Sequence, residues 1–188
     1  MNATIKLNLG CGGNHREGYV NVDKYGDPDI QHDLESFPWP WPDSSVCEIV
    51  LHHVLEHLGQ MTNVYLNIVK EIYRICEDQA SIHIVVPHPR HDDFLGDPTH
   101  VRVITPEGIS LLSKKNNEGW IKGGYSNSPL ALYLNVDFEI IELSHTLDPV
   151  WKKRFDEENI SPQDISAASK KYNNVIKEIR MVVKAVKN

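Results

Sequence analysis

The stretch Leu7-Asn8-Leu9-Gly10-Cys11-Gly12-Gly13, with an acid following at Asp23, constrains the fold more than any other part of the chain. Ile5, Leu7 and Leu9 alternate with Lys6 and Asn8, the period of a β-strand. Three glycines within the next four residues let the backbone pass close to a bulky ligand and take up positive φ. Tyr19-Val20-Asn21-Val22-Asp23 then reads as a second strand ending in a carboxylate. An acid in that place of an α/β unit accepts hydrogen bonds from ribose hydroxyls, so the segment describes a pocket for an adenosine-containing cofactor. A dinucleotide site is a poor match. The third glycine of its fingerprint is replaced by His15, and Asp23 follows Gly10 by 13 residues instead of about 20. A phosphate-binding P-loop is excluded, because no Gly-Lys-Ser/Thr follows.

The 188 residues suit a single domain, 1–188, with a real core. No apolar run of membrane-spanning length occurs, and the first strand starts too early to leave room for a signal peptide. Cys11, Cys47 and Cys76 have no metal-type spacing and no even pairing, which points to a reduced, cytoplasmic chain. The net charge of −7 argues against non-specific nucleic-acid binding.

Further strands are expected at about 30–34, 47–52, 82–87, 137–143 and 178–186. A helix is expected over 62–76 with Thr62 as its cap, and another from Thr105-Pro106-Glu107. The segment 37–42, Phe-Pro-Trp-Pro-Trp-Pro, must be an extended loop. Only nine residues separate Gly13 from Asp23, so the first crossover helix is truncated. Residues 149–173, with a capping-box start at Ser161, read as a helical insertion before the last strand. The order implies an α/β, doubly wound, mostly parallel sheet with helices on both faces. Strand one lies beside strand four, and the ligand crevice is at their carboxyl ends. Strand seven is expected near the far edge. Val150, Trp151 and Phe155 form an apolar stripe in the insertion that must bury somewhere, which suggests a homodimer contact in preference to a lid.

LNLGCGGNHREGYVNVD resembles the class I S-adenosylmethionine-dependent methyltransferases, and among them the small type 11 group. The likeness continues through HDLESFPWPWPDSSVCEIVLHHVLEHL and YLNIVKEIYRI, covering roughly 5–112. It implies a Rossmann-like methyltransferase fold with S-adenosylmethionine as cofactor. On that reading Gly10, Cys11 and Gly12 pass under the methionine part. Asp23 binds the ribose, Asp33 and Leu34 meet the adenine, and His52 lies near the sulfur. Asn8 stands where many members carry an acid for the methionine amino group. The absence of Asp/Asn-Pro-Pro-Tyr/Phe after strand four argues against methylation of DNA base amino groups.

His53, Glu56 and His57 are spaced i, i+3 and i+4, so one helical turn would place them on a common face. Asp97-Pro-Thr-His100 follows strand five. Two O-methyltransferase groups, those of ubiquinone biosynthesis and of small-RNA 3′ ends, show a similar set that binds a divalent metal. The resemblance thus implies His53, Glu56, His57 and His100 as ligands. Such a set suits Zn, Fe, Mn or Co better than Mg. Without metal, His57 or His100 serves as general base. His88, His91, Asp92 and Asp93 are expected in a mobile loop over the pocket. The reading is methyl transfer to a small polar acceptor, most simply a hydroxyl. Two alternatives stay open: a non-catalytic cofactor-binding protein, and a metal hydrolase built on the His53/Glu56/His57/His100 cluster.

Overall fold

The structure, a computed structural model, describes residues 4–158 and 160–187. Its seven strands are β1 (Ile5–Leu9), β2 (Val20–Asp23), β3 (Ile30–Gln31), β4 (Val46–His52), β5 (Cys76–Pro87), β6 (Phe138–Leu147) and β7 (Ile176–Ala185). They form one sheet in the order β3-β2-β1-β4-β5-β7-β6. β1 to β5 pair in parallel, and β7 runs antiparallel to both β5 and β6. This is the α/β, mostly parallel arrangement expected, with β1 beside β4. β7 lies near the far edge, as expected: it is inserted between β5 and β6, and β6 is the border strand. No helix among the described residues is long and apolar enough to cross a membrane.

Alternate residues of the strands build the core. Leu7, Leu9, Ile49, Leu51, Ile82, Ile84, Met181 and Val183 are buried on one face. Helix α1 (Thr62–Ile75) lays Ile68, Val69, Ile72 and Ile75 against them. Its cap is Met61, not Thr62, and no side chain caps it. Beyond the one-turn helix α2 (Asp92–Leu95), Ile109, near the end of the short helix α3 (Pro106–Ser110), and Leu112 just after it extend the same core. The opposite face carries Lys6, Glu48 and His83, joined through Glu48 at 2.8 and 3.4 Å. The first three crossovers contribute no helix to cover it. The shortened first helix is reduced to turns over 10–19, and residues 24–29 and 32–45 are also non-helical. β3 is shorter than expected because Asp33 Oδ1 accepts from the Glu35 N–H at 2.9 Å, which turns the chain.

The Pro-Trp loop replaces a crossover helix by packing. Trp39 and Trp41 are buried in the core. Arg74 of α1 donates to the carbonyls of Trp39 and Trp41, and Glu71 accepts from the Trp39 N–H at 2.6 Å. Helices α4 (Lys114–Lys122) and α5 (Leu130–Leu134) precede β6, and between β6 and β7 the expected insertion is two helices, α6 (Pro149–Glu157) and α7 (Pro162–Lys171), the latter opened by a complete Ser161/Asp164 capping box. Residue 159 of this insertion lies outside the described residues, as do residues 1–3. Trp151 and Phe155 pack against Ile165, Ala168, Val175 and Ile176 in a second small core. Of the expected apolar stripe, Trp151 and Phe155 are thus met within the chain, whereas Val150 is exposed.

Candidate active site

The glycine loop lies at the carboxyl end of β1. Gly10 has φ +63°, and a Cβ there would come within 2.6 Å of Val54 Cγ2, so both conformation and space demand glycine. Gly12, at φ +50°, would point a Cβ into open space. The Cys11 N–H donates to the Val22 carbonyl at 3.0 Å and the Gly12 N–H to Asp23 Oδ2 at 2.9 Å. Asp23 Oδ1 accepts from the Tyr25 N–H. Asp23 thus ties the loop to the end of β2, and each oxygen keeps a further lone pair for a ribose hydroxyl. Burial pushes the Cys11 thiol up, with the Asp23 charge acting the same way.

A buried amide pair does what a crossover helix would do elsewhere. Asn8 Nδ2 donates to the Asn14 carbonyl and to Asn21 Oδ1, each at 2.9 Å. Asn21 Oδ1 also accepts from the Arg16 N–H at 2.7 Å. Asp29 accepts from both the backbone and the side chain of Asn21, and these bonds hold its carboxyl below the usual range. Asn8 is therefore a brace for residues 14–16. No sequence signal marked Asn21 or Asp29.

Two cavities flank this loop. One, of about 180 Å³, is lined by Asp23, Asp33, Leu34 and Leu58 together with Gly10 and His53. The other, open and of about 690 Å³, is lined by Asn8, Cys11, Gly12, Arg16 and His52, again with Gly10 and His53. They have those two residues in common. Each cofactor-binding residue expected from sequence lines one or the other.

His53 sits at the turn after β4 with φ +56°, a conformation rare for a side-chain-bearing residue outside functional sites. It is not part of a helical face with Glu56 and His57. A single 3-10 turn starts only at Leu55, and His53 precedes it. The His53 ring lies between two carboxylates: Nδ1 is 3.1 Å from Glu56 Oε1 and Nε2 3.2 Å from Glu178 Oε1. The hydrogen bond to Glu56 raises its pKa, with Glu178 adding to it against the cost of burial. His53 is not among the potential ligands that converge nearby, which are Glu56, His57 and His100. Burial and the neighbouring His53 charge hold His52 below the ordinary imidazole range. Glu178 was not foreseen. It comes from β7, far along the chain, and only the insertion of that strand beside β5 brings it here. Burial pushes its carboxyl up, but hydrogen bonds from Arg180 and His53 outweigh this and leave it lowered.

Glu56, His57 and His100 do converge. One ligand atom from each lies within 4.8 Å of the others, the sole such group among the described residues. The backbone brings this about: the Val101 and Arg102 N–H groups both donate to the Glu56 carbonyl, docking the loop after β5 onto the turn. The tautomers follow from the partners. Thr99 Oγ1 gives its hydrogen to Asp97, so it accepts from His57 Nδ1–H at 3.0 Å. His100 Nδ1–H donates to the Phe94 carbonyl at 2.9 Å. Each ring therefore turns its Nε2 away from that bond, the usual orientation of a metal-binding histidine, with Asp97 Oδ2 3.8 Å from His100 Nε2. Glu56 is fully buried, and its Oε2 has no hydrogen-bond partner. Two lone pairs and an orphaned carboxylate oxygen fit a cation.

The His88–Asp93 segment is not a loose flap over this crevice. Arg90 donates to the carbonyls of Ser169 and Lys170, His91 meets Asp148 at 3.2 Å, and Asn174 bonds Asp92. It is fastened to the helical insertion.

Neither a family model nor a curated protein matches the chain by sequence. Solved structures match by fold. A SAM-dependent methyltransferase from Archaeoglobus fulgidus superposes with a TM-score of 0.60 at 17% identity, over 96% of this chain and 86% of that one. A SAM-dependent methyltransferase from Methanosarcina mazei gives 0.53 at 12%, over 97% and 92%. The 1,6-didemethyltoxoflavin N1-methyltransferase of Burkholderia thailandensis, solved with its substrate and S-adenosylhomocysteine, gives 0.54 at 9%, over 97% and 71%. Strand order, the glycine loop at the carboxyl end of β1 and these superpositions agree: the chain has the Rossmann-like fold of the S-adenosylmethionine-dependent methyltransferases.

Proposed function

We propose that the protein transfers a methyl group from S-adenosylmethionine to a hydroxyl of a small polar acceptor. The observation that carries this reading is the pair of neighbouring cavities that share Gly10 and His53. The smaller one offers Asp23 to a ribose and Asp33 and Leu34 to an adenine. The larger leaves room for the amino-acid end and an acceptor beside His52. The toxoflavin enzyme of the same fold, solved with S-adenosylhomocysteine, supports the choice of cofactor.

S-Adenosylmethionine supplies a methyl on a sulfonium, an electrophile that needs only an aligned nucleophile. The chain's own part is to fix that line and to take a proton. The glycine loop, held by Asp23 and by the Asn8–Asn21 brace, sets the cofactor's position. His53, locked between Glu56 and Glu178, shapes a wall common to both cavities. Glu56, His57 and His100 would hold a divalent ion, whose charge lowers the pKa of a bound hydroxyl. Two imidazoles and a carboxylate favour Zn, Fe, Mn or Co. In the absence of an ion, the Nε2 atoms of His57 and His100 are the bases that receive the acceptor's proton.

Incubation with methyl-labelled S-adenosylmethionine and a panel of small alcohols, phenols, sugars and amines tests the reading. Label on oxygen, lost when a strong chelator is present, is the expected result. Label on nitrogen alone rejects the hydroxyl acceptor, and label retained under chelation rejects the metal. A cofactor bound tightly but never turned over with any acceptor favours a non-catalytic binding protein.

A further inference from the structure

The larger cavity has an unusual electrical character for this chain. The protein carries a net charge of −7, yet no acid lines that cavity. Its charged or chargeable walls are His15, Arg16, His52 and His53. The position where similar methyltransferases carry an acid is Asn8, and both N–H groups of its amide are spent on the brace. Arg16 is exposed, and its guanidinium has no hydrogen bond or ion pair among the described residues. Its backbone is nonetheless fixed, because the Arg16 N–H donates to Asn21 Oδ1 at 2.7 Å. An anchored backbone with an uncommitted cationic head at a cavity rim is arranged to receive an anion. The field of Arg16 reaches the cavity wall: burial and the His53 charge do most to hold His52 low, and Arg180 and Arg16 act in the same direction.

We propose that Arg16, presented by the loop that replaces the first crossover helix, binds the α-carboxylate of the cofactor's amino-acid end. The assignment rests on the cofactor reading above. The adenosine half has its own walls, in the cavity of Asp23, Asp33 and Leu34, and the two cavities share Gly10 and His53. A ligand with its adenosine there extends its amino-acid end toward the acid-free cavity. That end is a zwitterion, and of its two charges the carboxylate is the one a cationic, acid-free lining complements; Arg binds carboxylates through paired N–H donors. The Asn8–Asn21–Asp29 brace then serves cofactor affinity by fixing where Arg16 stands, as well as holding the loop.

The test uses two probes that differ only at that end. S-Adenosylhomocysteine carries the amino acid, whereas 5′-methylthioadenosine keeps the adenosine and thioether without it. Calorimetric titration of wild type and Arg16→Ala with both gives a clear pattern. Arg16 is exposed, so an unchanged unliganded melting temperature is expected and shows that the variant is folded. Arg16→Ala should weaken S-adenosylhomocysteine by about ten- to a hundredfold, the effect of one lost charge-assisted contact, with methylthioadenosine affinity unchanged. Arg16→Lys should recover part of the loss. Equal weakening of both probes, or no weakening of either, overturns the assignment while leaving the cofactor reading intact. Failure of wild type to bind S-adenosylhomocysteine overturns both.

Discussion

At the scale of single residues, Gly10 and Asp23 decide whether the crevice exists. Gly10→Ala meets two obstacles, a left-handed φ of +63° and Val54 Cγ2 at 2.6 Å. Together these should cost about 2–4 kcal/mol in urea denaturation. Adding Val54→Ala removes the clash but not the φ penalty, so the double variant should recover only part. Full recovery would show that the backbone tolerates alanine there. Asp23→Ala deletes the acceptor for the Gly12 and Tyr25 N–H groups and, on the proposed reading, for the ribose. A ligand present at a hundred times its Kd stabilises the native state by about 2.7 kcal/mol, and the variant should lose most of the corresponding rise in melting temperature. An undiminished rise would place the ribose elsewhere. For the cation, His100→Ala is the cleaner variant, because His57 also lines the smaller cavity. Elemental analysis should show metal in wild type and none in His100→Ala, with S-adenosylhomocysteine still bound. Equal metal in both would remove His100 from the ligand set.

Elements carry the next level of the account. The Pro-Trp loop stays in place through Glu71, which accepts from Trp39 N and from Arg74 Nε and Nη2. The bonds from Arg74, aided by that from Trp39 and opposed by burial, lower the Glu71 pKa below its ordinary 4.5. A carboxylate lowered in the folded state stabilises above the unfolded value, and that stability disappears as pH falls through the folded value. Glu71→Gln should therefore cost about 1–2 kcal/mol at neutral pH. It should also give a flatter loss of stability below pH 4.5 than wild type shows. A variant that follows the wild-type acid profile would put the titrating clamp elsewhere. The insertion is a separate small core joined to the sheet by Asp148, Arg90 and Asn174. Trp151→Ala with Phe155→Ala should raise hydrogen exchange across α6 and α7 and leave the sheet protected, because the two cores are distinct clusters. Exchange spreading into β4 and β5 would mean that the insertion supports the whole fold.

At the scale of the molecule, the succession of strands, the glycine turn and the place of the insertion were legible because each leaves a local mark. Alternation announced β1 and β2, three glycines announced the turn, and proline with tryptophan announced a segment that cannot be helix. What stayed hidden depends on contacts between distant parts of the chain. Glu178 reaches His53 only because β7 enters the sheet between β5 and β6. Asn21 and Asp29 look like ordinary strand and turn residues until the loop folds back on them. His53 was placed with Glu56 and His57 by helical spacing, whereas a left-handed φ ends the strand there and turns its ring to Glu178. The face without crossover helices likewise follows from short connections whose combined effect no single segment shows. The claim that unites these scales is that the two cavities together hold one adenosyl cofactor beside one metal site. Non-denaturing mass spectrometry of the purified protein with added S-adenosylhomocysteine and divalent zinc or manganese tests it most directly. The account predicts a single species carrying one S-adenosylhomocysteine and one metal ion; bare protein at saturating ligand would contradict it.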